Sequence, residues 1–515
     1  MKKSIKKILT VGSLLAMTSG IVPSLAVSAQ DVSEYEIATV RWSDWGTDYQ
    51  NGFVTDSQAD FGINVTWDTY VNADWADQKA VIMASGDLPD AFLGSNALSD
   101  SEIMQNAALF MPLEDLIAEH MPNLTAAMEE EPLLRQIATA SDGHIYGLPT
   151  KLPMRPVVGN QLFINQTWLD NLGLEMPQTY DEFVEVLRAF KAEDANGNGD
   201  ADDEIPYGAG NYDAIFAYIL PFNVRNGYEY DMALNDGEPV YNRITEEYKN
   251  GIDAMSQAYA EGLIDPEIFT QDTSMGEAKR QDTAGARVGV AAGWTADALF
   301  GQNSDQYVAL PALEGPDGNR YVISDPDHLN YNRNEFLILR DTENPEKLLQ
   351  WLDTWYTEDA SIQTFYGSFG IATEKNEDGT YTVLPPVGGE TADISAWVNS
   401  LRDFGPKYVG DDFNEKVEID DTQGDGLKLI LDSELAEYAL PAFPRVSYTQ
   451  EETSQLTTLT IDISSYASQA ATRWVVEGGV QDEWETYLDT LNQMGLENYL
   501  NIMNAAYTRY QESAQ

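Results

Sequence analysis

An α/β architecture divided into two or more lobes is what this sequence predicts, and three observations carry the prediction. From Glu36 onward, short runs of β-branched and aromatic residues alternate with segments of helical period. At 515 residues the chain exceeds what a single hydrophobic core usually supports. With 43% apolar residues and aromatics spread along its length, it has ample material to fold. Strand and helix alternating at this spacing imply a parallel sheet whose functional crevice lies at the carboxyl ends of its strands.

The first residues read as a secretory signal. Lys2, Lys3, Lys6 and Lys7 precede an apolar run, and Ala26-Val27-Ser28-Ala29 supplies the small residues of a cleavage site before Gln30. The run is too short to span a bilayer. Strands are expected at 37–42 and 63–67, a helix at 75–85 stopped by Gly86 and Pro89, and a third strand at 91–93. Loops 43–49, 86–90 and 94–97 would then rim a cleft. Thr179-Tyr180-Asp181-Glu182 is a capping box, and Phe183, Val186, Leu187 and Phe190 form the apolar stripe of the helix behind it. Further on come a helix at 246–262, a strand at 288–292, a helix at 345–356 opened by Asn344-Pro345, and an almost entirely helical stretch at 448–510. Turns at 315–318 and 385–389 are candidate crossover points between lobes. Trp397 is expected to start a late helix.

The capping-box helix leads into Asp194-Ala-Asn196-Gly-Asn198-Gly-Asp200-Ala-Asp202-Asp203-Glu204, where oxygen-bearing side chains alternate with small residues. Calcium takes six to eight oxygen ligands, and side chains at loop positions 1, 3 and 5 converge only if the chain turns sharply at position 6. Gly199 stands there. Asp194, Asn196 and Asn198 would offer side-chain oxygens, Asp200 its carbonyl, and Asp202, Asp203 and Glu204 would close the shell. The twelfth-position Glu of an EF-hand is absent, because Ile205 and Pro206 follow. A fixed structural ion is therefore expected rather than a switch. The competing reading is a solvated Asp/Asn/Gly turn, which these residues also favour.

Composition removes several classes of function. There is no cysteine, which excludes disulfides, thiolate metal sites and a lipid-anchoring cysteine. The net charge is −56, and loss of the four signal lysines makes it more negative still. Nucleic acid and anionic membranes are poor partners for such a chain. No phosphate-binding glycine loop, zinc helix or nucleophile elbow occurs, and the three histidines are scattered. Tryptophan is more informative, since flat apolar rings suit sugar faces as well as cores. Trp42 and Trp45 follow the first strand, Trp294 follows the strand at 288–292, and Trp397 lies further on; cleft and core readings stay open for each. Asp87 and Asp90 either cap strand and helix ends or, for Asp87, meet a ligand. Arg155 and Arg333 stand out in so acidic a chain, as salt-bridge partners or as donors to ligand hydroxyls. Tyr212 completes the candidate ligand set.

Several stretches, taken in order, resemble a known family: Ala84-Ser-Gly-Asp-Leu-Pro-Asp90, Asp142-Gly-His-Ile-Tyr-Gly-Leu-Pro149, Phe163-Ile-Asn-Gln-Thr-Trp-Leu-Asp-Asn-Leu-Gly173, the loop ending Glu204-Ile-Pro206, and Glu261-Gly-Leu-Ile-Asp-Pro-Glu267. Phe443-Pro444, Thr449-Gln-Glu-Glu452, Asp482-Glu-Trp484 and Met494-Gly-Leu496 extend the match toward the end of the chain. Together they resemble the family 1 extracellular solute-binding proteins of carbohydrate ABC importers, with an alginate-oligosaccharide-binding type of architecture. The resemblance implies a type II periplasmic-binding-protein-like fold, with two α/β lobes, a hinge and an interlobe cleft. It implies calcium in the second lobe away from the sugar, and no catalysis. Residues 1–29 would be the signal, 30–150 with 318–388 the first lobe, and 151–317 with 389–515 the second. Trp294 and Arg333 match positions where the family presents an aromatic and an arginine to sugar. The expected partners are an oligosaccharide and ABC permease subunits, with the protein itself a monomer. Two features depart from the family. The calcium loop carries one residue more before its acidic pair, leaving Asp202 and Asp203 as alternatives. No cysteine follows the signal, so the protein is expected secreted, periplasmic or held at the outer face of the membrane. A secreted calcium-dependent lyase or glycosidase, or a sensor subunit, are the rival readings.

Overall fold

The computed structural model describes residues 32–208, 214–225, 231–386 and 391–513. The expected signal and Tyr212 lie outside the described residues. The chain first lays down β1 (Ser33–Arg41), β2 (Ile63–Val71) and β3 (Ala91–Leu93), then β4 (Gln161–Asn165), β5 (Ile205–Tyr207), β6 (Val288–Gly293) and β7 (Tyr307–Ala309) in a second sheet. It returns to the first sheet as β8 (Phe336–Ile338). The first sheet runs β8-β3-β1-β2 and the second β7-β4-β6-β5.

In the first sheet β1 pairs in parallel with β2 and β3, with Ile37 opposite Trp67 and Ala91, while β8 is antiparallel to β3. Tyr35 and Ile37 face one apolar cluster, and Ala38 and Val40 face another. The second half of this strand, from Ile37 to Arg41, is thus buried on both sides, while Glu34 and Glu36 of its first half are exposed. The second sheet is mixed, not parallel as the spacing suggested. Only β5 and β6 run together; β4 and β7 are antiparallel to their neighbours. The cause is directional, because the chain arrives from the first lobe at the carboxyl edge of β6 and must run back along it.

Helices α1 (Asn72–Ser85) and α2 (Asp100–Gln105) belong to the first lobe; α3 (Tyr180–Ala192), α4 (Glu246–Ala260) and α5 (Ala296–Phe300) flank the second sheet. They are followed by α6 (Pro345–Asp353), α7 (Ala392–Asn399), α8 (Gly424–Leu435), α9 (Gln450–Glu477), α10 (Val480–Met494) and α11 (Leu496–Ser513). The capping box closes as read, with Thr179 Oγ1 accepting from Glu182 N at 3.2 Å and Glu182 Oε2 from Thr179 N at 3.3 Å. Phe183, Val186, Leu187 and Phe190 are all buried behind it. Tyr248 and Ile252 of α4 share one core with Leu456, Trp474, Trp484 and Tyr487 of the last helices. Two short ladders lie where the chain crosses between the sheets: Thr150–Lys151 with Tyr331–Asn332, and Val322–Ser324 with Ala439–Pro441.

The segment from Trp397 to Tyr408 departs from its expected place in the second lobe, whereas the last helices keep theirs. Trp397, Leu401, Phe404 and Tyr408 share a core with Ile37, Leu93 and Trp351, because their apolar side chains fill the space beside the carboxyl end of the first sheet. Trp397 sits near the end of α7, not at its start. The turn at 315–318 stays on the second lobe, where Gly315 lies against the Pro221 carbonyl so tightly that a Cβ would come within 1.8 Å of it. Among the described residues no helix is long and apolar enough to cross a membrane.

Phe190 is fully buried, and its ring lies where a Cβ on Gly289 would approach to 2.6 Å. Phe190→Ala is expected to lower unfolding stability by about 3–5 kcal/mol, read from urea denaturation, because a cavity opens under the second sheet.

Candidate functional site

Strands β1 and β3 end at one edge of the first sheet, where β8 begins; β6 ends at Gly293 beside the start of β4. Side chains that follow these ends build the site. Trp42 is 48% exposed, with its ring centroid 5.5 Å from that of Phe404. Trp45 stacks on the buried Trp397 at 4.7 Å and 20°. Beneath them Arg41, buried at the last position of β1, donates to the carbonyls of Ser400 at 3.0 Å and of Trp397. Its guanidinium lies 4.5 Å from the centroid of Tyr49 and 5.7 Å from that of Trp45. Burial brings its pKa down to about 10, so it stays charged at neutral pH.

The segment carrying Phe404 is tied down by a second buried pair. Lys407 Nζ donates to the carbonyls of Phe404 at 2.7 Å and Gly405 at 3.0 Å, while Glu335 Oε2 accepts from Gly405 N at 2.7 Å. Burial pushes the Glu335 carboxyl up and the Lys407 ammonium down, each shift opposed by the other's charge.

Across the cleft, Trp294 follows β6. The Arg155 guanidinium lies 5.4 Å from its ring centroid and Lys428 Nζ 4.9 Å. Arg155 also pairs with Asp403 and lies 5.3 Å from the centroid of Phe365. Burial lowers Lys428 to about 8. Arg402 pairs with Asp425 at 2.8 Å and Asp393 at 3.4 Å, over the ring of Phe365. Burial alone would raise Asp425, but Arg402 and Arg155 hold it below the usual carboxylate value. Asp393 goes the other way, to about 6, because burial outweighs Arg402 and the carboxylates of Asp425, Asp403 and Asp297 add to it. Asp297, in the first turn of α5, has two buried carboxylate oxygens with no hydrogen-bond partner among the described residues. Indole faces, guanidinium groups and carboxylates at facing strand ends can cover the apolar face of a sugar ring and satisfy its hydroxyls.

Residues 44–362 match the family model described as bacterial extracellular solute-binding protein. The chain belongs to that family. Members bind solute without transforming it, so the lyase and glycosidase alternatives fall away. The fructooligosaccharide ABC transporter substrate-binding protein FusA of Streptococcus pneumoniae is 32% identical over 474 residues, which is 87% of this chain and 85% of FusA. The structure of FusA with kestose superposes with a TM-score of 0.82 at 29% identity, covering 93% of this chain and all of FusA. A structure of a FusA EF-hand mutant with fructo-nystose gives the same TM-score at 28% identity and the same coverage. An HMO-binding ABC-transporter-associated solute-binding protein of Bifidobacterium longum infantis reaches 0.80 at 26% identity, covering 93% of this chain and 99% of that one. Alginate-binding protein AlgQ2 without calcium ion shares the fold, with a TM-score of 0.72 at 22% identity.

In this solute-binding protein the structure groups Trp42, Trp45 and Trp397 about Phe404, and sets Trp294 beside Arg155, which reaches the same segment at Asp403. Arg333 stands at the same edge but further along, at the entry to β8, where it pairs with Asp100. Asp87 is elsewhere. It precedes β3, so it lies at the amino ends of the strands, exposed, its N–H given to Ser85 Oγ at 3.1 Å, while Asp90 accepts from Glu36 N at 2.8 Å. Sequence reading missed Arg41, Asp297, Arg402, Asp403, Phe404 and Lys428. Isolated basic residues in an acidic chain pointed to Arg155, and the same signal was available for Arg41, Arg402 and Lys428.

The loop after α3 is wound on itself. Gly199 N donates to Asp194 Oδ2 at 2.9 Å, Asn198 N to Asn196 Oδ1 at 2.9 Å, and Asp200 N to Asn198 Oδ1 at 2.7 Å. The amides of Asn196 and Asn198 donate to the two oxygens of Asp203 at 3.0 and 2.9 Å, and Glu204 Oε1 accepts from Asn196 N at 3.3 Å. Asp202 is exposed and gives its N–H to Asp200 Oδ1. Among the described residues no three acidic or histidine side chains converge at metal-binding geometry. The donor set nevertheless suits a hard cation: Asp194 Oδ1 and Glu204 Oε2 are buried and unpartnered, and burial raises the Glu204 carboxyl. A carboxylate oxygen in that position lacks the positive charge that would compensate it.

A pKa raised in the folded state means that the Asp393 contribution is full below its unfolded value and is lost as pH rises through about 6. On lowering pH from 7.5 to 5, wild type should gain about 1.4 kcal/mol of stability relative to Asp393→Asn, measured by denaturant midpoints at each pH.

Proposed function

We propose that this protein captures an oligosaccharide outside the membrane and delivers it unaltered to the permease of an ABC importer. The observation that supports this is the gathering of aromatic rings and guanidinium groups after the strand ends, Trp42 and Trp45 after β1 and Trp294 with Arg155 after β6, in a chain alignable with FusA over most of its length. Ligand held between two lobes makes more contacts when they close, and this differential binding shifts the population toward the closed form a permease recognises. The two short crossover ladders act as the hinge. A neutral fructooligosaccharide such as kestose fits the reading best, since a net charge of −56 disfavours polyanionic sugars. The protein works as a monomer. Its signal is removed after Ala29, and without a cysteine to carry lipid it is retained outside by other means or released.

Calcium is the structural ion of the loop after α3. Asp194, Asn196, Asn198, Asp203 and Glu204 hold it through side-chain oxygens and Asp200 through its carbonyl, with Asp202 turned to solvent. Bound calcium pins the second lobe by mass action and takes no part in sugar contact.

Titration calorimetry with kestose should give a single site and chemically unchanged sugar. Trp294→Ala should weaken it at least about tenfold, the loss of one stacking face; unchanged affinity would remove Trp294 from the site. EDTA should lower the melting temperature by several degrees while kestose affinity, measured after calcium is restored, returns fully. Asp203→Asn should abolish the EDTA effect and Asp202→Asn should preserve it.

A further inference from the structure

Strands β8, β3 and β1 lie side by side, so the Arg333 end of the edge is two strand spacings, about 10 Å, from the Trp42 end. The loop after β3 joins them. Asn96 Nδ2 donates to the Val40 carbonyl at the end of β1, and Asp100 accepts from Asn334 Nδ2 at 2.7 Å and pairs with Arg333. Beyond Arg333 lies a groove of about 310 Å³ whose walls come from both lobes. One wall is α2 with the 137–141 segment; the other is the first half of α9, which touches α2.

Two hydroxyls are unmatched in this groove. Ser141 Oγ, from the first lobe, and Thr460 Oγ1, from α9, are buried and have no hydrogen-bond partner among the described residues. A hydroxyl offers one donor and two acceptor positions, and burying it unsatisfied is unfavourable. The Arg333–Asp100 pair adds a fixed donor and acceptor at the mouth, and Tyr146 and Tyr448 flank it. Ile103, Met104, Ile137, Leu456 and Ile461 make much of the groove apolar, and the hydroxyls and the ion pair stand among them. Apolar surface with a few fixed donors and acceptors suits a sugar ring, and the loop after β3 runs from this groove to the end of β1.

We infer that the groove between α2 and α9 is a second sugar subsite, in which Ser141 and Thr460 receive the far end of an elongated oligosaccharide and so set the preferred ligand length. The inference rests on the reading of this protein as an oligosaccharide carrier and adds to it what distinguishes a short cargo from a long one. A ligand reaching the groove touches α2 and α9 together and therefore also favours lobe closure.

Titration calorimetry with kestose and with the longer fructo-nystose tests this on the full protein, using wild type, the Ser141→Ala/Thr460→Val double variant and Ala140→Trp, which fills the groove with a ring. Melting curves and circular dichroism confirm that each variant is folded. Wild type should bind fructo-nystose more tightly than kestose. The double variant should lose about tenfold for fructo-nystose and stay within about twofold for kestose. Ala140→Trp should erase the difference between the sugars. Equal losses for both sugars, or no loss for either, in both variants would overturn the subsite while leaving capture intact. A wild-type protein that bound neither sugar would overturn fructooligosaccharide capture itself, and the subsite with it.

Discussion

The buried guanidinium of Arg41 is the contact on which the binding wall depends. It ends β1, yet its partners are the carbonyls of Trp397 and Ser400, more than 350 residues later in the chain. Without it the late segment 397–408 would have no polar tether to the strand that carries Trp42 and Trp45. The same segment is pinned by Glu335 from the side of β8, by Arg155 at Asp403, and by its own Arg402 at Asp425, while Lys407 closes on the segment's own carbonyls. A chain with 29 basic residues against 85 acidic ones concentrates several of its cations here. Buried ion pairs contribute little net stability, because desolvation offsets attraction, but losing one partner leaves an uncompensated charge and is costly. Their effect is therefore on geometry: they leave the segment one place to sit.

That placement explains the pairing of the aromatic rings. Trp45 can stack on Trp397 only if α7 lies against the carboxyl edge of the first sheet, and Phe404 backs Trp42 only if residues 404–407 are held by Glu335 and Lys407. Ring faces oriented in advance lose less conformational freedom when a ligand binds than rings that must be recruited. Trp294 on the opposite wall is fixed differently, between Arg155 and Lys428, whose charges favour the electron-rich ring face.

What could be read in the sequence was local. The capping box at Thr179, the apolar stripe behind it and the phasing of Asp194, Asn196, Asn198 and Gly199 all lie within a few turns of chain, and their geometry follows from spacing alone. The two-lobe α/β plan was also legible, because short apolar strands alternate with helical segments along a chain too long for one core. What depended on distant partners was not. Asp87 looked like a rim residue because its loop neighbours a strand, but strand polarity puts the segment before β3 at the far edge. The second sheet is mixed because of where the chain enters it, which no local pattern encodes. Trp397 could be recognised as an aromatic of interest, whereas its partner Arg41, at the end of the first strand, could be known only from the packing. Between Asp202 and Asp203, spacing left two alternatives; the hydrogen bonds from Asn196 and Asn198 turn Asp203 inward.

The excess of acid bears on how such a protein would respond to its ligand. Bringing together two lobes that both carry negative charge raises their mutual repulsion, and within a Debye length of about 8 Å at physiological salt this is only partly screened. Repulsion of this kind favours the open arrangement when no ligand is present. A neutral sugar adds no charge to the cleft, so its stacking and hydroxyl contacts act directly against that bias, whereas a polyanionic sugar would add to it. The cations around Trp294 and Trp45 lie where the lobes meet, which lowers the electrostatic cost of closing at the one place where closing is useful. Under the proposed function, charge composition thus sides with a cargo that is uncharged and rich in hydroxyls.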